Sequence, residues 1–406
     1  GGGHLKNNED QGRLIAEQDA LGAITEYHYD EVGHLVALIP PADEPTAYEY
    51  RNGFLHARYR GDAVWKYRRN AQGDVTEAID PDGQITHYHY DPQGRLLSIR
   101  YPDISRHVFV WDGLGQLLEE TLPNGGQRHY SYDVLGRRIT RRDEHGAVTR
   151  YQWDAIGRLI HTTFPTGATR AYSYNAYSQI TAEQDELGRI TRYEYAEDLH
   201  LVSRRINPDG TQLKYRYDNA QLLLTEIENE SGEKYLLDYT PNGLIRQETA
   251  FDGQRTAYAY DLNGHLLEKT EFGDDGSTLV TTYERDAAGR LLVKTLPDGI
   301  KVEYRYDRLG RLIGVDDGHD HPLEFEYDRQ DRLITEHQGW GTLRYGYDAC
   351  GQLNHLRLPD NSKLDYHHAK GGVLSAIDLN GARLTTHQFA FGREQQRQQG
   401  LLLSEY

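Results

Sequence analysis

Hydrophobic and polar positions in this chain alternate with a period of two, and short polar stretches interrupt the alternation at regular intervals. At residues 130–137 the order is Tyr-Ser-Tyr-Asp-Val-Leu-Gly-Arg. Period-two alternation places both tyrosine rings on one face of an extended strand. Asp133 can accept backbone hydrogen bonds from two residues on, and Gly136 tolerates a positive φ, which together are typical of a tight turn. The pattern predicts a strand, a turn and a second strand.

The same unit, aromatic-x-aromatic-Asp-x-x-Gly-Arg-Leu, recurs along the whole chain. Its Asp stands at Asp91, Asp112, Asp133 and Asp154, a constant spacing of 21 residues. After each second strand comes another turn signal, such as Pro-Asp-Gly at residues 81–83, 208–210 and 297–299. One period is therefore strand, turn, strand, turn, which predicts a continuous antiparallel meander.

Eighteen copies of the unit can be counted by the residue in the Asp position. They begin at Glu9, Asp30, Arg51, Asn70, Asp91, Asp112, Asp133, Asp154, Asn175, Ala196, Asp218, Thr240, Asp261, Asp286, Asp307, Asp328, Asp348 and Ala369. A further copy is expected to begin at residues 388–394, followed by the start of another strand at 401–406. We interpret residues 1–406 as a single array without a domain boundary or a separate catalytic domain, and as a segment of a longer polypeptide.

Several copies depart from the consensus. The copy at residues 50–55 is one residue shorter, and the copy at 69–73 lacks its aromatic residue. The copies at 174–178 and 195–199 lack the turn glycine, so we expect their strands to persist while their turns differ. An insertion of four residues falls around residues 272–276, and we expect a longer hairpin tip there because insertions usually lie in loops.

Eighteen hairpins give about 36 strands, and an open twisted sheet of that size must curl. The fold class we predict is all-β, an antiparallel hairpin array that curls into a spiral shell. A shell wide enough to hold a domain of 100–150 residues needs about 25 strands per circuit, at a strand spacing of about 4.8 Å.

Composition narrows the function further. A net charge of −18 electrostatically disfavours binding of nucleic acid or of anionic membranes by the array. The 31 tyrosines at fixed spacing indicate cross-strand packing rather than disorder. The single cysteine, Cys350, excludes an internal disulfide and stands at a variable turn position. No apolar run reaches membrane-spanning length, and the first residues do not resemble a signal peptide.

The repeated Tyr-Asp-x-x-Gly-Arg-Leu unit, for instance at residues 306–312, resembles the YD repeats of bacterial Rhs proteins. Related repeats occur in the cocoon of insecticidal Tc toxins and in animal teneurins. The resemblance implies a β-cocoon that encloses a C-terminal toxin domain, made in the bacterial cytoplasm and then secreted or delivered into a competing or target cell. It also implies, as partners, a type VI secretion spike and a chaperone bound through an N-terminal region that this sequence does not contain.

The family's catalytic elements cannot be assigned to residues here. Toxin release in the family uses an aspartyl-protease-like element after the repeats. The closest match, Asp-Pro-Gln-Gly at residues 91–94, is an ordinary repeat turn. We therefore predict a shell segment that is not an enzyme and has no catalytic, cofactor-binding or metal-binding residues.

Three residue patterns in the chain could support other chemistry. The 63 acidic residues offer carboxylate pairs for a hydrolase, but they recur as turn residues in phase with the repeat. His319 and His321, beside Asp316 and Asp317, form the one local cluster that suggests a metal, and its loop spacing is weak evidence. Stacking of sugars on aromatic rings is the main alternative and would make the array an adhesion or carbohydrate-binding surface. Trp111 and Trp153 occupy the repeated Tyr position, which favours packing instead.

Overall fold

The computed structural model describes residues 6–197, 200–218, 220–390, 393–399 and 402–405. This part of the chain contains 39 β-strands, which belong to one open antiparallel sheet. The strands in chain order are β1 Lys6–Asp10, β2 Arg13–Gln18, β3 Ile24–Tyr29, β4 Leu35–Ile39, β5 Thr46–Arg51, β6 Phe54–Arg60, β7 Ala63–Arg69, β8 Val75–Ile79, β9 Ile85–Tyr90, β10 Leu96–Arg100, β11 Arg106–Trp111, β12 Leu117–Thr121, β13 Gln127–Tyr132, β14 Arg138–Arg142, β15 Val148–Trp153, β16 Leu159–Thr163, β17 Thr169–Tyr174, β18 Ile180–Gln184, β19 Ile190–Tyr195, β20 Val202–Ile206, β21 Gln212–Tyr217, β22 Leu224–Glu228, β23 Lys234–Tyr239, β24 Ile245–Thr249, β25 Arg255–Tyr260, β26 Leu266–Phe272, β27 Thr278–Arg285, β28 Leu291–Thr295, β29 Lys301–Tyr306, β30 Leu312–Asp316, β31 Leu323–Tyr327, β32 Leu333–Gln338, β33 Gly341–Tyr347, β34 Leu353–Arg357, β35 Lys363–His368, β36 Leu374–Leu379, β37 Ala382–Ala390, β38 Arg393–Gln399 and β39 Leu402–Glu405.

The chain divides into two compact units. The first unit comprises residues 129–283 and 296–298, and the second comprises 3–128, 284–295 and 299–406. Within the first unit successive strands pair antiparallel from β13 to β27. Within the second unit the same pairing runs from β1 to β12 and from β28 to β39. The predicted all-β meander of hairpins is confirmed in both units.

Each repeat contains two kinds of turn. We call the turn inside the repeated unit the YD turn and the turn on the opposite edge of the sheet the return turn. In the YD turn of residues 133–137, the Asp133 N–H donates to the Arg137 carbonyl oxygen at 2.9 Å, and Gly136 has a φ of 82°. The Asp133 Oδ1 accepts from the N–H groups of Leu135 and Arg137 at 3.0 and 2.9 Å. The predicted turn chemistry of Asp and Gly is therefore confirmed.

The strands bury their faces only partly. Along β29 the half-buried residues Val302, Tyr304 and Tyr306 alternate with exposed residues, as the period-two pattern predicts. The chain exposes 24508 Å² of surface, whereas a compact monomer of its mass exposes about 16,000 Å². No large side chain in the described residues is fully buried. Stability must therefore come from backbone ladders and half-buried rings rather than from an aliphatic core.

Three of the copies that depart from the consensus, at residues 50–55, 174–178 and 195–199, differ in their turns. The shortened copy makes a two-residue hairpin turn, with φ values of 51° at Asn52 and 81° at Gly53, which suits a tight hairpin connection. The copy that lacks glycine at Ser178 keeps an ordinary YD turn, because Ser178 itself adopts a φ of 63°. The prediction of a different turn was wrong at this copy.

The other copy without the glycine has a longer turn, in which the Ala196 N–H donates to the Leu201 carbonyl oxygen at 2.8 Å. Part of this copy, at residues 198 and 199, lies outside the described residues, as do residues 391 and 392 of the copy predicted at 388–394. Of the strand predicted at 401–406, residues 402–405 form β39.

The insertion near residue 272 does not lengthen a turn. The return turn of residues 273–277 has the usual size, with the Gly273 N–H donating to the Ser277 carbonyl oxygen at 2.8 Å. Instead, β26 and β27 have seven and eight residues, and they pair down to Phe272 and Thr278. The expected longer tip was therefore wrong: the four extra residues extend both strands, where each continues the backbone ladder.

Candidate functional site

In most units, the second aromatic residue links one repeat to the repeat before it. Tyr306 donates a hydrogen bond from its hydroxyl to the carbonyl oxygen of Leu291 at 2.8 Å, 15 residues earlier. Trp111 and Trp153 make the same bond through the indole N–H, to Leu96 and Arg138, at 2.8 and 2.7 Å. The position thus favours a long side chain with a polar donor at its far end.

This donor role also explains the copy that lacks an aromatic residue. Arg69 takes the aromatic position, and its Nε and Nη2 donate to the carbonyl oxygen of Leu55 at 3.3 and 3.2 Å. The sequence predicted packing for Trp111 and Trp153 but missed this hydrogen bond. The available signal was that Tyr and Trp, which alternate at this position, share a side-chain donor.

A second link runs along the edge formed by the YD turns. Arg137 donates from Nε to Asp133 Oδ2 at 2.7 Å and from Nη1 to the carbonyl oxygen of Asp154 in the next YD turn, also at 2.7 Å. Arg158 repeats both contacts one copy later, to Asp154 and Asn175. The backbone N–H of Arg137, and then its side chain, hold the pKa of Asp133 below its usual value. Asp and Arg of the repeat therefore cross-link neighbouring hairpins at their turns.

In the second unit, return turns of early strands contact YD turns of late strands. Asp43 Oδ1 accepts from Arg290 Nη1 at 2.5 Å. The Glu44 N–H donates to the Arg308 carbonyl oxygen at 2.7 Å. The turn after β4 thus contacts the turns after β27 and β29.

These contacts continue in phase, and we call the whole row the seam. Asp82 Oδ2 accepts from Arg332 Nη2 at 3.1 Å and is also hydrogen-bonded by Gln330. Arg60 is paired with Asp331. Carboxylates lie mostly on the return turns and guanidinium groups mostly on the YD turns, so opposite charges face each other. The sequence did not predict the seam, because its partners are some 250 residues apart and share no local pattern.

Cys350 is the third residue of its YD turn and also lies in the seam. It lines a cleft of about 230 Å³ with Tyr101, Asp103 and Ser105. Burial and, after it, the negative charge of Asp103 raise the pKa of the Cys350 thiol, although the residue is exposed overall. Burial also raises the pKa of Asp103, but hydrogen bonds from Ser105 outweigh this effect and keep it below its usual value. Cys350 therefore has a structural place in the seam.

A carboxylate joins three consecutive strands on the tyrosine face. Glu248 in β24 accepts from the hydroxyls of Tyr235 in β23 and Tyr258 in β25, each at 2.5 Å. The hydrogen bond to Glu248, followed by burial, raises the pKa of Tyr235 to about 12. Burial and then the same carboxylate raise the pKa of Tyr258 further. This arrangement is a hydrogen-bonded rung across the sheet and contains no second carboxylate placed for acid–base catalysis.

The histidine cluster is open to solvent. His319 Nδ1 lies 2.9 Å from Asp317 Oδ1, and their side chains are 79% and 52% exposed. Among the described residues, no group of three or more His, Cys, Asp or Glu side chains is arranged to hold a metal ion. Nor do those residues include a helix whose length and apolarity would let it cross a bilayer.

Comparison with known protein families identifies the repeat. The family model described as Teneurin YD-shell matches residues 152–320. The RHS Repeat model matches residues 69–103 and 111–148. Double-stranded DNA deaminase toxin A of Burkholderia cenocepacia (strain H111) is 30% identical over 176 residues, which are 43% of this chain and 11% of that protein.

Solved structures share the fold. The crystal structure of TcdB2-TccC3 has a TM-score of 0.59 and 17% identity, and the match covers 92% of this chain and 24% of that one. The crystal structure of TcdB2-TccC3 without its hypervariable C-terminal region has the same TM-score and identity, with 95% and 24% covered. This chain thus spans about a quarter of the length of these structures and about a tenth of the deaminase toxin.

Proposed function

Because this chain is an Rhs/YD-repeat protein, we propose that it is a wall segment of a toxin shell and that the shell encloses a C-terminal toxic domain. The observation that carries the proposal is the architecture of the wall itself. Repeat after repeat is linked to the next by the donor ring, as in Tyr306, and by the turn arginine, as in Arg137. Such links stiffen a sheet in which none of the described large side chains is fully buried.

The proposed role is containment without catalysis. Most carboxylates singled out above are committed to turns, to the seam or to rungs, as Asp133, Asp82 and Glu248 are. The toxin named among the relatives suggests that the cargo is a toxic effector. Type VI delivery, a chaperone, secretion from the cytoplasm and competition between bacteria are further parts of the proposal, and they are supported by the family resemblance alone.

The second candidate function is an exposed adhesion or carbohydrate-binding surface, and it is favoured by the large half-exposed aromatic face. Against it, the Trp111 and Trp153 indoles are already hydrogen-bonded within the sheet. A glycan array with the wild-type chain and a Trp153→Tyr variant distinguishes the carbohydrate-binding function from the shell function. Tyr keeps the donor, so the fold should persist, and a sugar site at Trp153 would lose affinity.

The test of containment is limited proteolysis of the native full-length polypeptide, followed by intact-mass analysis of the surviving species. We expect a C-terminal fragment that stays with the shell and resists protease until the shell is unfolded. The matched control is the same polypeptide in denaturant, where the fragment should be digested. A full-length protein whose C-terminal region is digested as fast in the folded state as in denaturant would overturn the proposal.

A further inference from the structure

In the second unit, four consecutive YD turns meet four consecutive return turns through one position, the third residue of the YD turn. The facing pairs are Leu309 with Gly61, Gln330 with Asp82, Cys350 with Asp103, and Gly371 with Asn124. Along the chain these third residues are 20 or 21 residues apart, and their partners are 21 residues apart. Both edges therefore advance by one repeat at each contact.

Two of the pairs fit a side chain to its own return turn. The methyl groups of Leu309 lie over Gly61, where an added Cβ would be 3.3 Å from Cδ1, so the glycine makes room for the leucine. Gln330 donates a hydrogen bond from Nε2 to Asp82 Oδ2. An apolar side chain thus meets a glycine, and an amide meets a carboxylate.

The pair at Gly371 leaves no room for a side chain. Gly371 has a φ of 85°, a conformation that favours glycine. A Cβ at this residue would lie 2.7 Å from the backbone nitrogen of Asn124, which is closer than Cβ atoms approach other atoms. Its N–H donates to Asp103 Oδ2 at 3.5 Å. The return turn at Asn124 therefore favours glycine over every other residue at the facing position.

The consensus arginines of the YD turns do not distinguish one return turn from the next. Arg290 binds Asp43, and Arg332 binds Asp82. Arg311 holds the same place in the turn between these two. If the two edges slipped by one repeat, Arg311 would reach Asp82 and an ion pair would form again. The charges of the seam are therefore compatible with more than one register.

The third residues differ from copy to copy, so the same slip would disrupt their contacts. A slip in one direction would bring Cys350 onto the backbone of Asn124, where a Cβ does not fit. A slip in the other direction would bring Gln330 onto Gly61 and separate it from Asp82. Each wrong register thus introduces a clash or removes a hydrogen bond, which is how protein contacts exclude unwanted partners.

We propose that Leu309, Gln330 and Gly371 set the register of the seam, that is, which return turn each YD turn meets. The consensus charges hold the two edges together, and these three residues select the match. Because the inference concerns contacts within the second unit, it does not depend on the proposed containment of a toxin.

Cys350 makes the register measurable in the native full-length polypeptide. Its side chain contacts that of Asp103, so oxidation of an Asp103→Cys variant should form a disulfide with Cys350, the native cross-link. Pro81 lies in the preceding return turn. In a Pro81→Cys variant, a disulfide with Cys350 would form only after a slip of one repeat, and we call it the slipped cross-link. Mass spectrometry of the digested protein identifies the peptide joined to Cys350 in each variant.

The exchange of two third residues, Leu309→Gln with Gln330→Leu, keeps the composition but mismatches both return turns. It should lower the yield of the native cross-link about fivefold or more, as expected for a lost hydrogen bond, and raise that of the slipped cross-link. The matched control is Gln93→Leu with Leu114→Gln, an exchange at the same position of two consecutive YD turns in the same unit. Gln93 is exposed and Leu114 is 85% exposed, so this exchange should leave both cross-links unchanged.

Gly371→Ala is a second variant, and Gly299→Ala is its control. Both glycines have a positive φ, but a Cβ at residue 299 would meet nothing within 4 Å. Only Gly371→Ala should weaken the native cross-link. Circular dichroism and thermal unfolding check the fold of every variant, and the two exchanges should leave both unchanged.

A native cross-link that persists at its original yield after the exchange of residues 309 and 330 overturns the proposal. So does a native cross-link that is lost without any slipped cross-link, because the third residues would then hold the seam closed without selecting its register. Equal losses in the exchange and its control, or in the two glycine variants, overturn it as well.

Discussion

Arg290 donates a hydrogen bond from Nη1 to Oδ1 of Asp43 at 2.5 Å, although 247 residues separate them in the chain. The same guanidinium binds Asp286 of its own turn through Nε at 2.8 Å. Arg137, at the equivalent position in the first unit, donates from Nη1 to the carbonyl oxygen of Asp154 in the next YD turn along its edge. The arginine of the YD turn therefore uses Nη1 in one of two ways. It binds a carboxylate of a distant return turn, as Arg290 does, or the next YD turn along its own edge, as Arg137 does.

Salt should weaken the charged contacts of the seam but not the backbone hydrogen bonds between the strands. Asp82→Asn removes a carboxylate that faces Arg332 and Gln330. Partly exposed ion pairs contribute about 0.2–1 kcal/mol each, and salt screens them. Hydrogen exchange of the Glu44 amide, which donates to the Arg308 carbonyl oxygen, should therefore speed up in the variant and in wild type at 1 M salt.

The control for this prediction is Asp252→Asn. Asp252 holds the same third position in a return turn of the first unit and accepts from the Gln254 N–H at 2.9 Å. Its substitution should leave exchange at Glu44 unchanged. Exchange at Glu44 that is insensitive both to salt and to Asp82→Asn would show that the seam is not held by these charges.

The position of Tyr306 should accept tryptophan with a smaller loss of stability than phenylalanine. Tyr306→Phe keeps the ring but leaves the carbonyl oxygen of Leu291 without its hydroxyl donor, which should cost about 1 kcal/mol of unfolding free energy. Tyr306→Trp should cost less, because Trp111 and Trp153 make this bond through Nε1. Urea denaturation of the three proteins measures the difference. Equal stability of the Phe variant and the wild type would refute the role given to the hydroxyl.

Stability should fall in acid through the turn carboxylates. Backbone N–H donors, from Arg137 to Asp133 and from Arg158 to Asp154, are the largest cause of the lowered pKa values of these two Asp residues. A lowered folded-state pKa gives stability that is present above the unfolded value of about 4 and is lost as pH falls through the folded value. The thermal midpoint should be level between pH 5 and 7 and drop below about pH 4. A midpoint that stays constant down to pH 2 would contradict this linkage.

The rung at Glu248 predicts a change in alkaline titration. The pKa of Tyr235 is raised to about 12 by its bond to Glu248 and by burial. The folded state therefore holds this proton more tightly than the unfolded chain, and stability is lost as pH rises from about 10 towards 12. In Glu248→Gln the phenol of Tyr235 should ionise closer to pH 10, which absorbance near 295 nm can follow. An unchanged titration curve would remove Glu248 as the cause.

Local features of this fold could be predicted from the sequence, and long-range ones could not. The strands, the turn at Asp133 and the one-sided tyrosines follow from period-two alternation and turn chemistry. The insertion near residue 272 was misplaced because its polar and glycine residues look like loop, whereas the strands gain backbone pairs by extending. Ser178 kept its turn because the surrounding ladder holds it at positive φ. The seam escaped prediction since Asp82 and Arg332 carry no mark that distinguishes them from other turn residues.

The central claim is that these repeats form the wall of a container. Cryo-electron microscopy of the native full-length polypeptide tests it most directly. We expect density enclosed by the repeat sheet, continuous with the chain that follows the repeats, and lost when the region after the repeats is deleted. A map in which the sheet encloses nothing, with the C-terminal region on its outer surface, would contradict containment and favour an exposed binding surface.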